Sequence, residues 1–178
     1  LFVIYFTATG PSGSVIPVTF TDSIFSLKVL DKNGLPVSID TFPGEVKILT
    51  PLTLCSDTLT VFQSDTFCVP VTAYDFDIIQ SIQYTHTWDP DMFQFVGFNN
   101  INLPFLEPAD FTIFPASLGT ITLSWFDDMN QTSITLPDST VLYELCFIAI
   151  GPIGDSAVID FEATPTPIEV RDSFGNVL

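Results

Sequence analysis

Basic side chains are nearly missing: 3 Lys and 1 Arg face 16 Asp and 5 Glu, a formal charge of −17 over 178 residues. With no basic patch to displace counterions from phosphates, the chain is excluded as a nucleic-acid binder. An anionic membrane surface would repel it too. Long apolar runs are also lacking. Val141–Ile150 is the best stretch, Glu144 interrupts it, and it falls short of the ~18 residues a membrane span needs, so no membrane insertion is expected. Leu1–Phe6 is apolar but has neither Met nor a basic leader, so it is not an intact signal peptide. A chain opening on Leu inside a strand-like run reads as a fragment or a processed product. Helix formers are scarce, with 7 Ala. Three Cys allow one disulfide and a leftover thiol, and do not fix the redox compartment.

What remains can build a core. Hydrophobic residues make up 47% of the chain, 18 of them Phe, which separates it from an acidic disordered tail. Thr, Val, Ile and Phe favour strands, while 14 Pro and 9 Gly supply turns, so the composition is all-β. Short strands are expected at Leu52–Phe62, Phe67–Tyr74, Ile78–Trp88, Met92–Phe98, Phe111–Phe114, Thr120–Trp125, Val141–Ile150, Ser156–Phe161 and Ile168–Asp172, about nine in all. Ile121, Leu123 and Trp125 share one face, as do Ile82, Tyr84, His86 and Trp88. Val141–Ile150 is apolar on both faces except at Glu144, as in a strand covered on both sides.

The chain repeats itself. Shifted by 141 positions, Leu1–Gly13 falls on Leu142–Gly154 without a gap, sharing a Gly-Pro-x-Gly turn. Further on, Phe20 meets Phe161, Val29 meets Val170, Asp31 meets Asp172 and Gly34 meets Gly175. That makes 10 identities in 37 aligned positions, a period plus a second copy of its last quarter. The expectation is two units. Residues 1–49 supply the C-terminal strands of a preceding repeat (Leu1–Ala8, Val15–Phe20, Leu27–Asp31 and Glu45–Leu49). Residues 50–178 form a sandwich repeat lacking its last strand, with a linker near Pro51. Both ends then look cut from a longer polypeptide or completed by a neighbour.

A family resemblance rests on particular residues. Phe67-Cys68-Val69-Pro70-Val71-Thr72, the run Ile82–Pro90 ending in Trp88-Asp89-Pro90, and Phe93–Val96 resemble the opening of a cohesin module. Ser124–Asp127, Thr135–Asp138, Leu145–Phe147, Pro165–Asp172 and Gly175-Asn176 resemble its second half. By pattern the chain is similar to the cohesin-like repeats of very large secreted proteins in Bacteroidetes-type bacteria. The resemblance implies a jelly-roll, immunoglobulin-like β-sandwich of nine strands, no catalysis and an extracellular, cell-surface setting. Cellulosomal cohesins bind dockerins on a sheet face, but no motif here assigns that specificity.

Reactive constellations are hard to find. His86 is the single His and alternates with apolar residues, the pattern of a buried, hydrogen-bonded imidazole rather than of a triad base. No phosphate loop or zinc spacing occurs, and no cofactor is expected. Asp75/Asp77, Asp89/Asp91 and Asp127/Asp128 sit beside turns, where Asp is common, and are the candidate calcium ligands. Cys68 with Cys146 would staple early and late strands, Cys55 with Cys68 would close a short loop, and three free thiols form the third option. Asp-Ser/Thr occurs seven times. Four instances resemble the O-glycosylation signal of Bacteroidetes envelope proteins, giving Ser23, Thr58, Ser139 and Ser156 as candidate acceptors; Asn130 heads an N-glycosylation sequon.

Two functions follow as expectations. One is a structural repeat of a long surface glycoprotein or filament, whose partners are neighbouring copies in the same chain or another subunit. The other is an adhesion module recognising a dockerin or a carbohydrate.

Overall fold

Strands need partners, and the partners in this chain are set by turns. The computed structural model describes residues 3–11, 13–21, 26–48, 50–127 and 133–178. They separate into two compact units, Leu1–Thr50 and Pro51–Leu178.

In the second unit β6 (Thr66–Tyr74) lies between β5 (Thr53–Ser56) and β11 (Thr140–Ala149), and β8 (Phe93–Asn99) flanks β11. Pro70 is tolerated in β6 because β5 stops pairing at Val71, leaving no ladder for Pro70 to interrupt on that flank. In the facing sheet β7 (Ile79–Trp88) pairs with β10 (Thr120–Phe126), which pairs with β9 (Phe111–Ile113). The other flank of β7 is shared. β12 (Ile159–Glu162) takes Thr85–Trp88, and β13 (Glu169–Asp172) takes Ile79–Gln83. The Thr166 backbone, between β12 and β13, holds the Thr85 hydroxyl through two 3.0 Å bonds. The nine expected strands of this unit are present, and with them the all-β jelly-roll sandwich.

Period-2 alternation builds the core. Ile82, Tyr84 and Trp88 of β7, Ile121, Leu123 and Trp125 of β10, Val69 and Val71 of β6, and Leu145 and Phe147 of β11 are all buried between the sheets. Each large side chain hidden in this way contributes about 1.5–3 kcal/mol. The Trp88 and Trp125 indoles still find acceptors, donating to the carbonyls of Phe93 and Pro104 at 2.9 Å each. Gly119 turns the chain into β10 at φ +54, where a Cβ would sit 2.1 Å from the Trp88 carbonyl oxygen. Only glycine fits there.

The first unit holds less. β1 (Val15–Val18) pairs with β4 (Gly44–Lys47), and β2 (Val29–Leu30) pairs with β3 (Pro36–Val37). The strand expected over Leu1–Ala8 does not form at residues 3–8, which have no ladder partner and are exposed. Two other elements differ from expectation. The strand expected over Leu52–Phe62 stops at Ser56, and β3 was not foreseen, because Asp31-Lys32-Asn33-Gly34 turns the chain back on itself.

Candidate functional site

The only deeply buried histidine environment in the sandwich is polar but closed. β7 alternation points Tyr84 and His86 inward, and β11 brings Tyr143 across from the other sheet. His86 Nε2 and the Tyr143 hydroxyl lie 2.8 Å apart, and the Tyr143 and Tyr84 hydroxyls share a short hydrogen bond. Phe161 packs on both the Tyr84 and His86 rings. Nδ1 of His86 is buried without a hydrogen-bond partner. Burial pulls the imidazole pKa down to about 4, so the ring is neutral at ordinary pH. Burial likewise pushes both phenols up, and Tyr143 rises further beside Tyr84. With all three groups locked neutral and sealed from water, the trio bridges the two sheets and offers nothing to a substrate. Sequence spacing placed Tyr84 and His86 on one face but gave no sign that Tyr143 would meet them.

The acidic pairs are drawn into turn chemistry. The Asp75 N–H donates to Asp138 Oδ1 at 2.9 Å. The Thr135 hydroxyl donates to Asp77 Oδ1 and accepts from the Ile78 N–H, both at 3.0 Å. Asp89 accepts the Asp91 N–H at 2.9 Å, starting the turn into β8. Asp127 is different: it is buried, with Oδ1 lacking a partner. Asp128, Ser23 and Asn130 lie outside the described residues. Among those described, no three His, Cys, Asp or Glu side chains gather as a metal would require. Thr58, Ser139 and Ser156 are exposed. Cys68 and Cys146 stand directly opposite each other in the β6–β11 register and are joined as a disulfide; Cys55 on β5 is an exposed free thiol.

A shallow groove of about 380 Å³ lies between Phe62, Met92, Phe93 and the Gly151–Asp155 turn. Its lining contains no nucleophile paired with a base, which is what acyl or phosphoryl chemistry needs.

The two segments that align at a shift of 141 positions have the more informative geometry. In the Gly-Pro-x-Gly turns the Ser14 N–H donates to the Pro11 carbonyl and the Asp155 N–H to the Pro152 carbonyl, each at 3.3 Å. Gly13 and Gly154 both take positive φ, +78 and +92. Asp31 Oδ1 accepts the N–H groups of Asn33 and Leu35 at 2.8 and 2.9 Å. Asp172 Oδ1 accepts those of Phe174 and Asn176 at the same two distances. These bonds hold the Asp31 carboxyl below its usual pKa; at Asp172 burial pulls upward but the hydrogen bonds outweigh it. Gly34 and Gly175 close the two hairpins at φ +82 and +80. The Leu30–Pro36 pairing of one hairpin has its counterpart in the Arg171–Val177 bridge of the other. The two turns and the two hairpins, 141 positions apart, thus fold alike.

No family model and no curated protein matches the chain. Solved structures do. The sixth cohesin of Acetivibrio cellulolyticus scaffoldin B, solved with a Cel5 dockerin, is similar at TM-score 0.58 and 20% identity, over 72% of this chain and 91% of that one. The Clostridium acetobutylicum cohesin CaCohA2, solved with the dockerin CaDoc0917, gives 0.57 and 19%, over 72% and 92%. The OlpA cohesin of Clostridium thermocellum, in complex with Doc918, gives 0.58 and 10%, over the same shares. The fold is the cohesin sandwich. At such identities the likeness extends to architecture and no further.

Proposed function

We propose that the chain is a non-catalytic, extracellular structural repeat of a long surface protein or filament, working through strand-mediated or end-to-end contacts with neighbouring copies. The observation behind this reading is the duplication. One set of strands β5–β10 is accompanied by two sets of the segment that follows, with the same turns in both. A sandwich cannot be built from that last quarter alone, since a few short strands have too little apolar area to bury. The sealed Tyr84–His86–Tyr143 trio and the lack of a clustered reactive group among the described residues support the non-catalytic part. Exposed Thr58, Ser139 and Ser156 suit glycan attachment, and an intact mass equal to the bare polypeptide would remove that element. The remaining Asp pairs are left as loop-level calcium candidates, and a melting temperature indifferent to a strong chelator would dismiss them.

Electron microscopy of the native material tests the main reading. Filaments or ordered oligomers are expected, and dispersed single particles would overturn it. A second reading, dockerin binding, is favoured by the complexes in which the similar cohesins were solved. Titration against a panel of dockerins tests it, with saturable one-to-one binding expected.

A further inference from the structure

The first unit displays core side chains without a core. Register by register, Ile4, Phe6, Val18, Phe20 and Val29 stand 141 positions before Leu145, Phe147, Ile159, Phe161 and Val170. All five later residues belong to the hydrophobic core of the sandwich or pack against it. All five earlier ones face solvent: Ile4 is 61% and Phe6 67% exposed, where Leu145 and Phe147 are at 0%. Phe147 shows what Phe6 lacks. Its ring is enclosed by Phe67, Trp88, Phe93 and Phe95 at centroid distances of 5.2 to 6.0 Å. β11 itself is held between β6 and β8, and β12 and β13 are held on β7.

Resting on the repeat reading above, we infer that residues 3–11, 13–21 and 26–37 form a docking surface whose partner is a second copy of strands β6–β8. Residues 3–8 enter as the β11 strand between copies of β6 and β8. Phe6 fills the aromatic cage, Phe20 covers the copy of Tyr84 and His86, and the β2–β3 hairpin lies on the β7 copy. The chemistry is strand addition: main-chain hydrogen bonds supply the affinity, and alternate side chains entering fixed pockets supply the register. The already formed Gly10–Gly13 turn and Asp31 hairpin reduce the ordering that docking requires. Another first unit is a poor occupant, because its described residues offer strands of two and four residues and no aromatic cage.

The experiment extends the whole chain. A further copy of residues 52–141 is placed directly ahead of Leu1, so that Leu1 stands where Leu142 stands. Amide hydrogen exchange is then compared with that of the 178-residue chain. Exchange at residues 3–8 is expected to slow by at least about 100-fold, as for strands inside a cooperative unit. In the extended chain, Phe6→Ala should reverse much of that protection while Val3→Ala, on the other face, should not. Unchanged exchange at residues 3–8, or an added copy that stays unfolded, would overturn the inference. Protection of residues 3–8 in the unextended chain that grows with concentration would also overturn it, by naming a second first unit as the occupant. Single particles in the native material would count against the array alone, because docking here is read within one chain.

Discussion

Phe6 aligns with Phe147 at a shift of 141 positions, and Asp31 aligns with Asp172. The Asp-capped hairpins share their backbone bonds to Oδ1, yet one set of side chains is buried and the other is in water. The comparison separates two levels of structure. Turns are local: Asp31 or Asp172 caps its own hairpin, and Gly34 or Gly175 takes a left-handed φ that other residues resist, with no help from the rest of the fold. Strands are not local. Residues 3–8 hold the apolar pattern of β11, but without β6 and β8 alongside they form no ladder.

That contrast can be broken at several places. The largest effect is expected at the disulfide, which the first unit cannot make because Tyr5 stands in the place of Cys146. Cys68 and Cys146 are separated by 78 residues, and loop entropy puts the loss for Cys68→Ala with Cys146→Ala at about 4–5 kcal/mol. Urea denaturation followed by Trp fluorescence reads this, since both Trp residues lie in the sandwich.

Phe147→Ala comes next, at about 3–5 kcal/mol from lost burial and an unfilled cavity, whereas Phe6→Ala in the same chain should stay within about 0.5 kcal/mol. Equal costs in the same denaturation assay would erase the distinction between the two aligned positions.

The third effect depends on pH. His86 titrates near 4 when folded against 6.5 when unfolded, so the folded state binds fewer protons between those values. Its contribution is intact above pH 6.5 and is lost as pH falls towards 4, amounting to about 3 kcal/mol. His86→Gln should flatten that limb of the stability profile. Comparing variant with parent at each pH cancels the simultaneous relief of acidic self-repulsion. Phe20 has no such histidine beside it, so the first unit's exchange rates should show no matching change.

The smallest effect lies in the hairpins. Asp172→Ala removes three hydrogen bonds from a buried cap and should cost about 1–3 kcal/mol. Asp31→Ala should alter only local exchange at Leu35, visible by NMR and silent in global unfolding.

These contrasts also explain what was legible in the sequence. Ile121-Thr122-Leu123-Ser124-Trp125 announces a half-buried strand by alternation, and Asp89-Pro90 marks the turn that follows β7. Repetition at 141 positions was visible because glycines and Asp at turns leave fixed marks. Less visible was anything that depends on a partner distant in sequence. Tyr143 meeting His86 requires the two sheets to face each other at one register. Asp127, which sits beside a turn signal like its neighbours in the other acidic pairs, is buried because the Gln80 carbonyl holds its N–H at 2.8 Å. The strand expected over Leu1–Ala8 does not form at residues 3–8 for the same reason: pattern specifies a face, and only a partner makes it a strand.

The Cys68–Cys146 bond has a mechanical consequence. A force drawn along the second unit enters through β5 and β6 and crosses to β11 through two sulfur atoms. Everything between them, β7, β8 and β10 included, is bypassed. At about 3.4 Å per extended residue, the 78-residue separation withholds roughly 260 Å of slack from the chain. Only the stretches outside the bond can lengthen under load, so a pulled module would yield at β5, β12 and β13 while β7, β8 and β10 stayed inside the closed loop.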